Sequence, residues 1–405
     1  MLTSASALTL LSFIGSRAIE ATAIGHYRPQ SPCTSFMVQV PISAHNHIFD
    51  VVPVNNNIDA VNWAVDLDTW NKPAFPKRIL ENITISRTYD IFATLCIPPH
   101  GSKASTLQIA THGGGFDSRY WDPSIDPDEH SWVKAALNAG YSTLTYDRIG
   151  CGQSSKPNAY TDMQHTTEVE VLRVLTEKVR DGTIQELAAR SHRPMGPTIT
   201  FDKIIHVGHS MGSIISYALT SLYPNASDVV ILTGFIVSSQ VFNGRTTAGG
   251  REYAPENDPK LFANHSSGYI VIGNPIAFQT GFFSSLTNET TNIGGFKQEA
   301  LDYAFSIRQP ESVVEMGSGV TLVLSHPTAP QFTGPVQIVL GEFDFIVCRG
   351  DCKGTYNMTD VENMFPVAKD VSVHLQPGTG HGLPLHNNAT LGFKASLDWL
   401  SSQGF

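Results

Sequence analysis

The sequence has few charged residues and no region in which positive charge is concentrated. Lys, Arg, Asp and Glu together make up 15% of the 405 residues, and the formal net charge is −10. Because nucleic acids and anionic membrane surfaces bind concentrated positive charge, this composition argues against both as partners. The hydrophobic share of 41% fits a substantial core, and the length allows two ordinary domains or one large α/β domain with an insertion.

Long apolar runs are also missing beyond the first residues, so we expect no stable membrane anchor. Residues 1–23 contain an apolar stretch from Ala5 to Gly15, followed by small-x-small sites at Ser16-Arg17-Ala18 and Ala21-Thr22-Ala23. We interpret residues 1–23 as a secretory signal peptide, although no Lys or Arg precedes the apolar stretch. A short N-terminal core helix or strand is the alternative.

Six Asn-x-Ser/Thr sequons spread through the chain agree with a secretory path, and we expect a secreted, extracellular glycoprotein. They begin at Asn82, Asn225, Asn264, Asn288, Asn357 and Asn388.

Cysteines are few and odd in number, with five in the chain. Cys348 and Cys352 are close enough to close a small ring, and Cys33 and Cys96 lie in two strand-like segments that a disulfide could join. Cys151 is left over; a reactive thiol is conceivable, but a buried small residue fits better. The Cys-x-x-x-Cys pair has no companion ligands at zinc spacing, so we assign no metal and no cofactor.

The strongest positive signal is Gly208-His209-Ser210-Met211-Gly212. The apolar run 201–207 before it is typical of a buried strand, and residues 213–222 after it have helical spacing. A Gly-x-Ser-x-Gly sequence between a strand and a helix indicates a sharp, strained turn that keeps the Ser210 hydroxyl accessible. The amide of Met211 then lies at a helix N-terminus, where it can face a developing negative charge. An ordinary loop is the alternative.

A serine nucleophile needs a base, and the base needs a group that orients it. Asp344 comes just after a strand-like run that ends at Leu340, and His381 lies in a glycine-rich loop after a second such run. We predict Asp344 as the acid and His381 as the base. Taken alone, Asp344 could be an exposed loop aspartate and His381 a turn histidine. Glu342 is the fallback acid and Asp351 a weaker one.

A second glycine-rich segment, Thr111-His112-Gly113-Gly114-Gly115-Phe116, follows the apolar run 106–110. Glycines without a Cβ let backbone amides turn toward a ligand. We predict that Gly114, or an adjacent glycine, supplies the second donor of an oxyanion hole. A phosphate-binding loop is the alternative, but the Lys-Ser/Thr ending and the dinucleotide spacing are both missing.

Taken together, these motifs resemble the serine-nucleophile branch of the α/β-hydrolase superfamily. The matching segments are His112–Gly115, Tyr146–Ser154, Gly208–Gly212, Gly341–Asp344 and Gly380–Gly382. The second is similar to the Asp-x-Arg-Gly-x-Gly-x-Ser loop of many members, with Ile149 as an extra residue. The resemblance implies a doubly wound, mostly parallel sheet with a Ser-His-Asp triad on loops at the carboxyl ends of its strands. Epoxide and haloalkane hydrolases of this fold use a carboxylate nucleophile, so Ser210 argues against both chemistries.

A narrower resemblance is to secreted fungal α/β-hydrolases of unassigned substrate. It is carried by Thr111–Asp117 and by Tyr120-Trp121-Asp122.

The pattern along the chain divides it into a core and an insertion. Alternating strand-like and helical segments predict a hydrolase core in residues 24–239 and again in 331–405. Residues 240–330 lack this alternation and are predicted to form a cap, or lid, whose aromatic residues mostly build its own core. We expect one long helical region over 161–191 and a solvated loop over the Asn- and Asp-rich residues 55–68.

We therefore predict a secreted serine hydrolase that cleaves a carboxylic ester of a small, largely apolar substrate through an acyl-enzyme. A lactonase, thioesterase or acyltransferase with the same residues remains open, as does a non-catalytic binding protein of this fold.

Overall fold

A computed structural model describes residues 33–99, 101–191, 199–235 and 250–405. The predicted signal peptide, residues 1–23, lies outside the described residues. Within these ranges, no helix has both the length and the apolar character needed to cross a bilayer.

The described residues form eleven strands, eight of which build one central sheet in the order β1-β2-β4-β3-β5-β6-β10-β11. The strands are β1 Cys33–Phe49, β2 Ile79–Cys96, β3 Thr106–Thr111, β4 Ser142–Tyr146, β5 Lys203–His209, β6 Val229–Thr233, β7 Arg251–Tyr253, β8 Tyr269–Ile272, β9 Glu311–Ser312, β10 Val336–Gly341 and β11 Val371–Gln376. In this central sheet, β1 pairs antiparallel with β2, and β2 pairs antiparallel with β4. The remaining neighbours, in the order β4-β3-β5-β6-β10-β11, pair parallel. The predicted doubly wound, mostly parallel sheet is confirmed.

Helices cover both faces of this sheet. In all, the described residues form the helices α1 Asn57–Asp68, α2 Pro127–His130, α3 Trp132–Asn138, α4 His165–Arg180, α5 Thr183–Arg190, α6 Met211–Leu222, α7 Ala254–Asn257, α8 Pro275–Phe282, α9 Gln298–Ser306, α10 Glu315–Ser325, α11 Phe345–Cys348, α12 Met358–Met364 and α13 Ala389–Ser402. Side chains of α4 and α5 share one apolar core with the sheet, and those of α3 and α13 share the other. All residues of β3, β4 and β6 are buried, as is usual for the central strands of a parallel sheet that is covered on both faces.

The N-terminal part is a long antiparallel hairpin. Cys33 pairs with Cys96 at one end of β1 and β2, and the two residues form a disulfide. The second predicted pair, Cys348 with Cys352, is also disulfide-bonded. Both pairings agree with the sequence interpretation.

One local prediction is wrong, and a second needs more detail. Residues 55–68 are not a solvated loop but contain α1, because the Asn56 side chain caps the helix by accepting from the Asp59 amide at 2.9 Å. The apolar face of α1 buries Ala60 and Trp63. The long helical region expected over 161–191 is present as two helices, because Gly182 takes a φ of +87° between α4 and α5.

The segment between β6 and β10 contains a second, smaller sheet. Strands β7, β8 and β9 pair antiparallel; α7 lies between β7 and β8 in the chain, α8 and α9 lie between β8 and β9, and α10 follows β9. Residues 240–249 of the predicted cap lie outside the described residues.

Candidate active site

Ser210 lies in a strained turn between β5 and α6. Its φ is +53° and its ψ is −115°, in the region that L-residues rarely adopt. The backbone is held there because the Ser210 amide donates to the Thr233 carbonyl at 2.8 Å. The β5–α6 connection therefore has the backbone strain that the Gly-x-Ser-x-Gly sequence predicts.

The two glycines of this turn have no room for a side chain. A Cβ on Gly208 would lie 2.5 Å from the Gly212 carbonyl oxygen, and one on Gly212 would lie 2.1 Å from the Thr111 carbonyl oxygen. The strand, the helix and the end of β3 are thus in direct backbone contact around Ser210.

The glycine-rich loop after β3 packs against the same turn. A Cβ on Gly113 would lie 3.0 Å from the Ser210 Cβ, and one on Gly114 would lie 2.9 Å from the Met211 Sδ. Met211 is the first residue of α6, where backbone amides have no intrahelical acceptor. The structure therefore brings Gly114 and Met211, the two predicted amide donors, together beside Ser210.

His112 holds this glycine loop in place. Its Nε2 accepts from the Arg148 amide at 3.0 Å. Its Nδ1 lies 2.9 Å from the Gly113 carbonyl oxygen, to which it donates. Because a backbone amide can only donate, these contacts fix the neutral tautomer with the proton on Nδ1. Burial lowers the pKa of His112 well below its ordinary value, which keeps the ring neutral.

A buried charge cluster lies beneath Met211. The Arg148 guanidinium bonds Glu168 at 2.6 and 2.9 Å and also contacts Glu315, and its Nη1 lies 3.8 Å from the Met211 Sδ. Burial raises the pKa of Glu168, while the charge of Arg148 opposes that rise. Arg148 lies in the Tyr146–Ser154 segment that resembles the family loop, whereas no sequence pattern marks Glu168 or Glu315.

His381 and Asp344 form a buried pair. Nδ1 of His381 lies 2.6 Å from Oδ2 of Asp344, and both side chains are fully buried. The other carboxylate oxygen, Oδ1, accepts from the Val347 amide at 2.8 Å, which makes Asp344 the N-cap of α11. The Cys348–Cys352 disulfide forms a small covalent ring at the end of α11, four residues after Asp344.

The His381 ring lies beside the backbone that carries Ser210. Its centroid is 4.8 Å from the ring of His209, the residue before the serine. A Cβ on Gly234 would lie 2.8 Å from Cε1 of His381 and 3.1 Å from Cε1 of His209. Within the described ranges, Nε2 of His381 has no hydrogen-bond partner, so the hydroxyl of Ser210 is not bonded to it here. Such bonds are often long before substrate binds.

The two fallback acids have other surroundings. The Glu342 carboxylate accepts from the Gly378 amide at 2.7 Å and from the Asn288 side chain at 3.0 Å, and it pairs with Lys353. Asp351 is exposed. Of the three candidate acids, Asp344 is the one that contacts His381.

Aromatic rings pack beside the His381–Asp344 pair and the glycine-rich loop. Phe282, at the end of α8, lies 5.6 Å from the His381 ring, and its Cζ would be 3.4 Å from a Cβ on Gly115. Phe116 and Phe278 pack on Phe282 at 4.9 and 4.8 Å between ring centroids.

Cys151 is buried, as the sequence interpretation favours. Its Sγ lies 3.6 Å from the Pro310 carbonyl oxygen. Burial raises the pKa of the thiol to about 12. The thiolate, which is the reactive form, is therefore disfavoured.

Comparison with known proteins gives one family and several similar folds. A model of the Alpha/beta hydrolase family matches residues 109–391. A soluble variant of monoglyceride lipase from Saccharomyces cerevisiae is 16% identical, with a TM-score of 0.52, over 78% of this chain and 92% of that chain. Epoxide hydrolase A from Mycobacterium thermoresistibile is 15% identical, with a TM-score of 0.50, over 77% and 95%. At these identities the two structures show a shared fold alone, and the narrower fungal resemblance stays a prediction.

Proposed function

Because the chain belongs to the Alpha/beta hydrolase family and is thus a hydrolase, we propose that it cleaves carboxylic esters with Ser210 as nucleophile, His381 as base and Asp344 as orienting acid. The observation that carries this proposal is the His381–Asp344 pair, joined at 2.6 Å and packed against the backbone of the strained Ser210 turn. A histidine held by a carboxylate beside a serine is the arrangement needed for nucleophilic acyl transfer.

The proposed reaction has two steps. His381 Nε2 takes the hydroxyl proton of Ser210 as Oγ attacks the ester carbonyl, and it then gives that proton to the leaving alcohol. A water molecule, deprotonated by the same nitrogen, attacks the acyl-enzyme, and the proton returns to Ser210 as the acid leaves. The amides of Met211 and Gly114, or an adjacent glycine, hold the oxyanion in both steps.

The substrate that we propose is small and largely apolar. Phe282 contacts both the glycine loop and the His381 ring, so it borders the space in which an ester would lie. Phe116 and Phe278 extend this apolar wall. Ligand sites are commonly lined in this way, with a few polar groups that fix orientation.

We further propose the predicted division into a core, 24–239 and 331–405, and a cap, 240–330. The position of Phe282 supports it, because this residue belongs to the segment between β6 and β10 and yet lies against His381. A cap over the site would also exclude water during the reaction.

The test is Ser210→Ala, assayed with p-nitrophenyl butyrate. We expect kcat to fall by about 10⁴-fold or more, since loss of the nucleophile in such a site costs at least this much. Ser216→Ala is the matched control on the same helix, because its buried hydroxyl has no partner among the described residues. Turnover retained by Ser210→Ala would remove Ser210 from the mechanism.

A fluorophosphonate probe tests whether the site is competent without assuming a substrate. We expect covalent labelling of Ser210 in the wild type and in Ser216→Ala, and none in Ser210→Ala. An unlabelled wild type would favour a binding protein. Product analysis with competing alcohols, and assays of lactones and thioesters, separate the other acyl-transfer activities from ester hydrolysis.

We propose that the chain is secreted. The two disulfides are compatible with an extracellular location. The sequon residues Asn82, Asn225, Asn264 and Asn357 are exposed. Endoglycosidase treatment of protein collected from the culture medium should lower its mass; recovery only from cell lysate, without a mass shift, would contradict this proposal.

A further inference from the structure

His386 binds the residues on both sides of His381. It is fully buried, five positions after His381. Its Nε2 accepts from the Gly380 amide at 3.0 Å. Its Nδ1 lies 2.9 Å from the Gly382 carbonyl oxygen, to which it donates. One imidazole thus fixes the backbone immediately before and immediately after the proposed catalytic base.

The same ring also binds the segment that follows α8. Its Nε2 accepts a second amide, that of Ser284, at 3.1 Å. The ring of Phe283 stacks on it at 5.5 Å. Close by, the Gly382 amide donates to the Phe282 carbonyl at 2.7 Å. The loop of His381 and the segment from Phe282 to Ser284 are therefore held together, with His386 at the junction.

This junction has little space for rearrangement. A Cβ on Gly380 would lie 2.8 Å from the Ser284 nitrogen and 2.9 Å from the Phe282 carbonyl oxygen. Glu342 makes a second connection of the same kind, since its carboxylate binds the Gly378 amide and the Asn288 side chain. The orientation of the loop thus depends on a small number of well-placed acceptors.

We infer that His386 is a positioning residue, which orients His381 by holding Gly380 and Gly382 and couples this loop to the cap through the Ser284 amide. The inference rests on the proposed function of His381. It assigns no direct chemistry to His386, whose two ring nitrogens are both occupied by backbone groups.

The role requires the neutral ring with its proton on Nδ1. Two backbone amides donate to Nε2, so a proton on Nε2 would place an N–H group opposite two other N–H groups, with no acceptor between them. The titratable groups that face His386 are His130, whose charge would oppose protonation, and Asp344, whose charge would favour it. On the cap side, the neutral rings of Phe283 and Phe296 pack against His386. Burial dominates and lowers the pKa of His386 to about 4.

Two substitutions test the acceptor role of Nε2 separately from the donor role of Nδ1. His386→Gln can place a carbonyl oxygen near the position of Nε2 and accept the two amides, whereas His386→Asn reaches only the position of Nδ1. We expect His386→Gln to stay within about fivefold of the wild-type kcat. We expect His386→Asn to lose about 10²-fold in kcat with little change in KM, because a misplacement of about 1 Å costs this much.

Hydrogen exchange supplies a readout that does not depend on turnover. We expect the amides of Gly380 and Ser284 to exchange at least tenfold faster in His386→Asn than in the wild type or in His386→Gln. The downfield proton signal of the His381–Asp344 hydrogen bond, identified by its loss in His381→Ala, should weaken in His386→Asn alone.

Equal kcat and equal exchange in the two variants, or a better-preserved His386→Asn, would overturn the inference. The exchange result also distinguishes this failure from failure of the proposed function. An active Ser210→Ala with the expected exchange pattern would refute the serine mechanism and leave the coupling of the loop to the cap intact.

Discussion

Asp344 makes two hydrogen bonds with different demands on its carboxylate. Oδ1 accepts from the Val347 amide at 2.8 Å, and Oδ2 faces Nδ1 of His381 at 2.6 Å. An Asn side chain at position 344 has only one oxygen, so it can accept only one of these two hydrogen bonds. If its oxygen keeps the Val347 bond, its NH₂ group faces Nδ1 and favours the tautomer with the proton on Nε2, which cannot accept a proton from Ser210.

We therefore predict that Asp344→Asn lowers kcat by about 10⁴-fold while preserving the fold, as expected when a catalytic imidazole is held in the wrong tautomer. Steady-state kinetics on a p-nitrophenyl ester and the circular dichroism spectrum check the two parts. Glu342→Gln is the control, because Gln keeps an acceptor for the Gly378 amide and Glu342 does not face His381. A loss in Glu342→Gln as large as that in Asp344→Asn would contradict the assignment.

The residues of the candidate site differ in how far the sequence predicts them. Ser210 lies in a local motif, and Asp344 and His381 follow recognisable strands. Glu168 and Glu315 have no such signal, because they meet Arg148 from 20 and 167 positions away in the chain. His386 is close to His381 in sequence, but its role depends on Ser284, 102 positions away. A local sequence pattern cannot predict such contacts, because the partner residues come together only when the chain has folded.

At the scale of elements, the site depends on the close approach of β3, β5 and α6. Gly212 is the second residue of α6. A Cβ on Gly212 would lie 2.1 Å from the Thr111 carbonyl oxygen and 2.7 Å from that of His112. Both are backbone atoms, which cannot rotate away. An added methyl group must push the helix away from the loop that carries the glycine amides.

We predict that Gly212→Ala lowers the free energy of unfolding by about 1–3 kcal/mol, the usual cost of overpacking. We also predict that it lowers kcat by at least 10²-fold, about the loss of one oxyanion donor. Urea titration and ester kinetics provide the two measurements. Ser216→Ala, one turn further along α6, should change neither by much, and normal activity in Gly212→Ala would show that the close approach does not matter for catalysis.

Elements were predictable where one rule decides the structure. The runs that form β3 and β5 are short, apolar and followed by glycine or helical spacing, so strand and position both follow from sequence. The sequence does not predict α1, because five of its twelve residues are Asn or Asp. Its helix depends on the Asn56 cap and on burial of Trp63 beside Val313. The extent of β1 and β2 was also not predictable, because their length is set by pairing with each other.

At the scale of the whole molecule, the structure buries several histidines in neutral form. Burial lowers the pKa of His206 to about 3 and those of His265 and His386 to about 4, and it lowers those of His112 and His209 well below the ordinary value. In the unfolded chain each would titrate near its ordinary value of about 6.5. Between these limits the unfolded state binds more protons than the folded state, so the free energy of unfolding rises with pH and is lost as the pH falls.

We predict that stability falls as the pH is lowered from 7 to 5. A histidine that stays neutral in the fold costs about 2 kcal/mol at pH 5, and several together are comparable to the usual net stability of about 5–15 kcal/mol. Asp147 and Glu168 act in the opposite direction, since burial raises the pKa of both, that of Asp147 to about 6, but the five histidines outnumber them. Urea midpoints at pH 7 and pH 5 measure the change. His206→Gln should reduce the pH dependence. A midpoint that is constant or higher at pH 5 would show that these rings are not neutral in the folded protein.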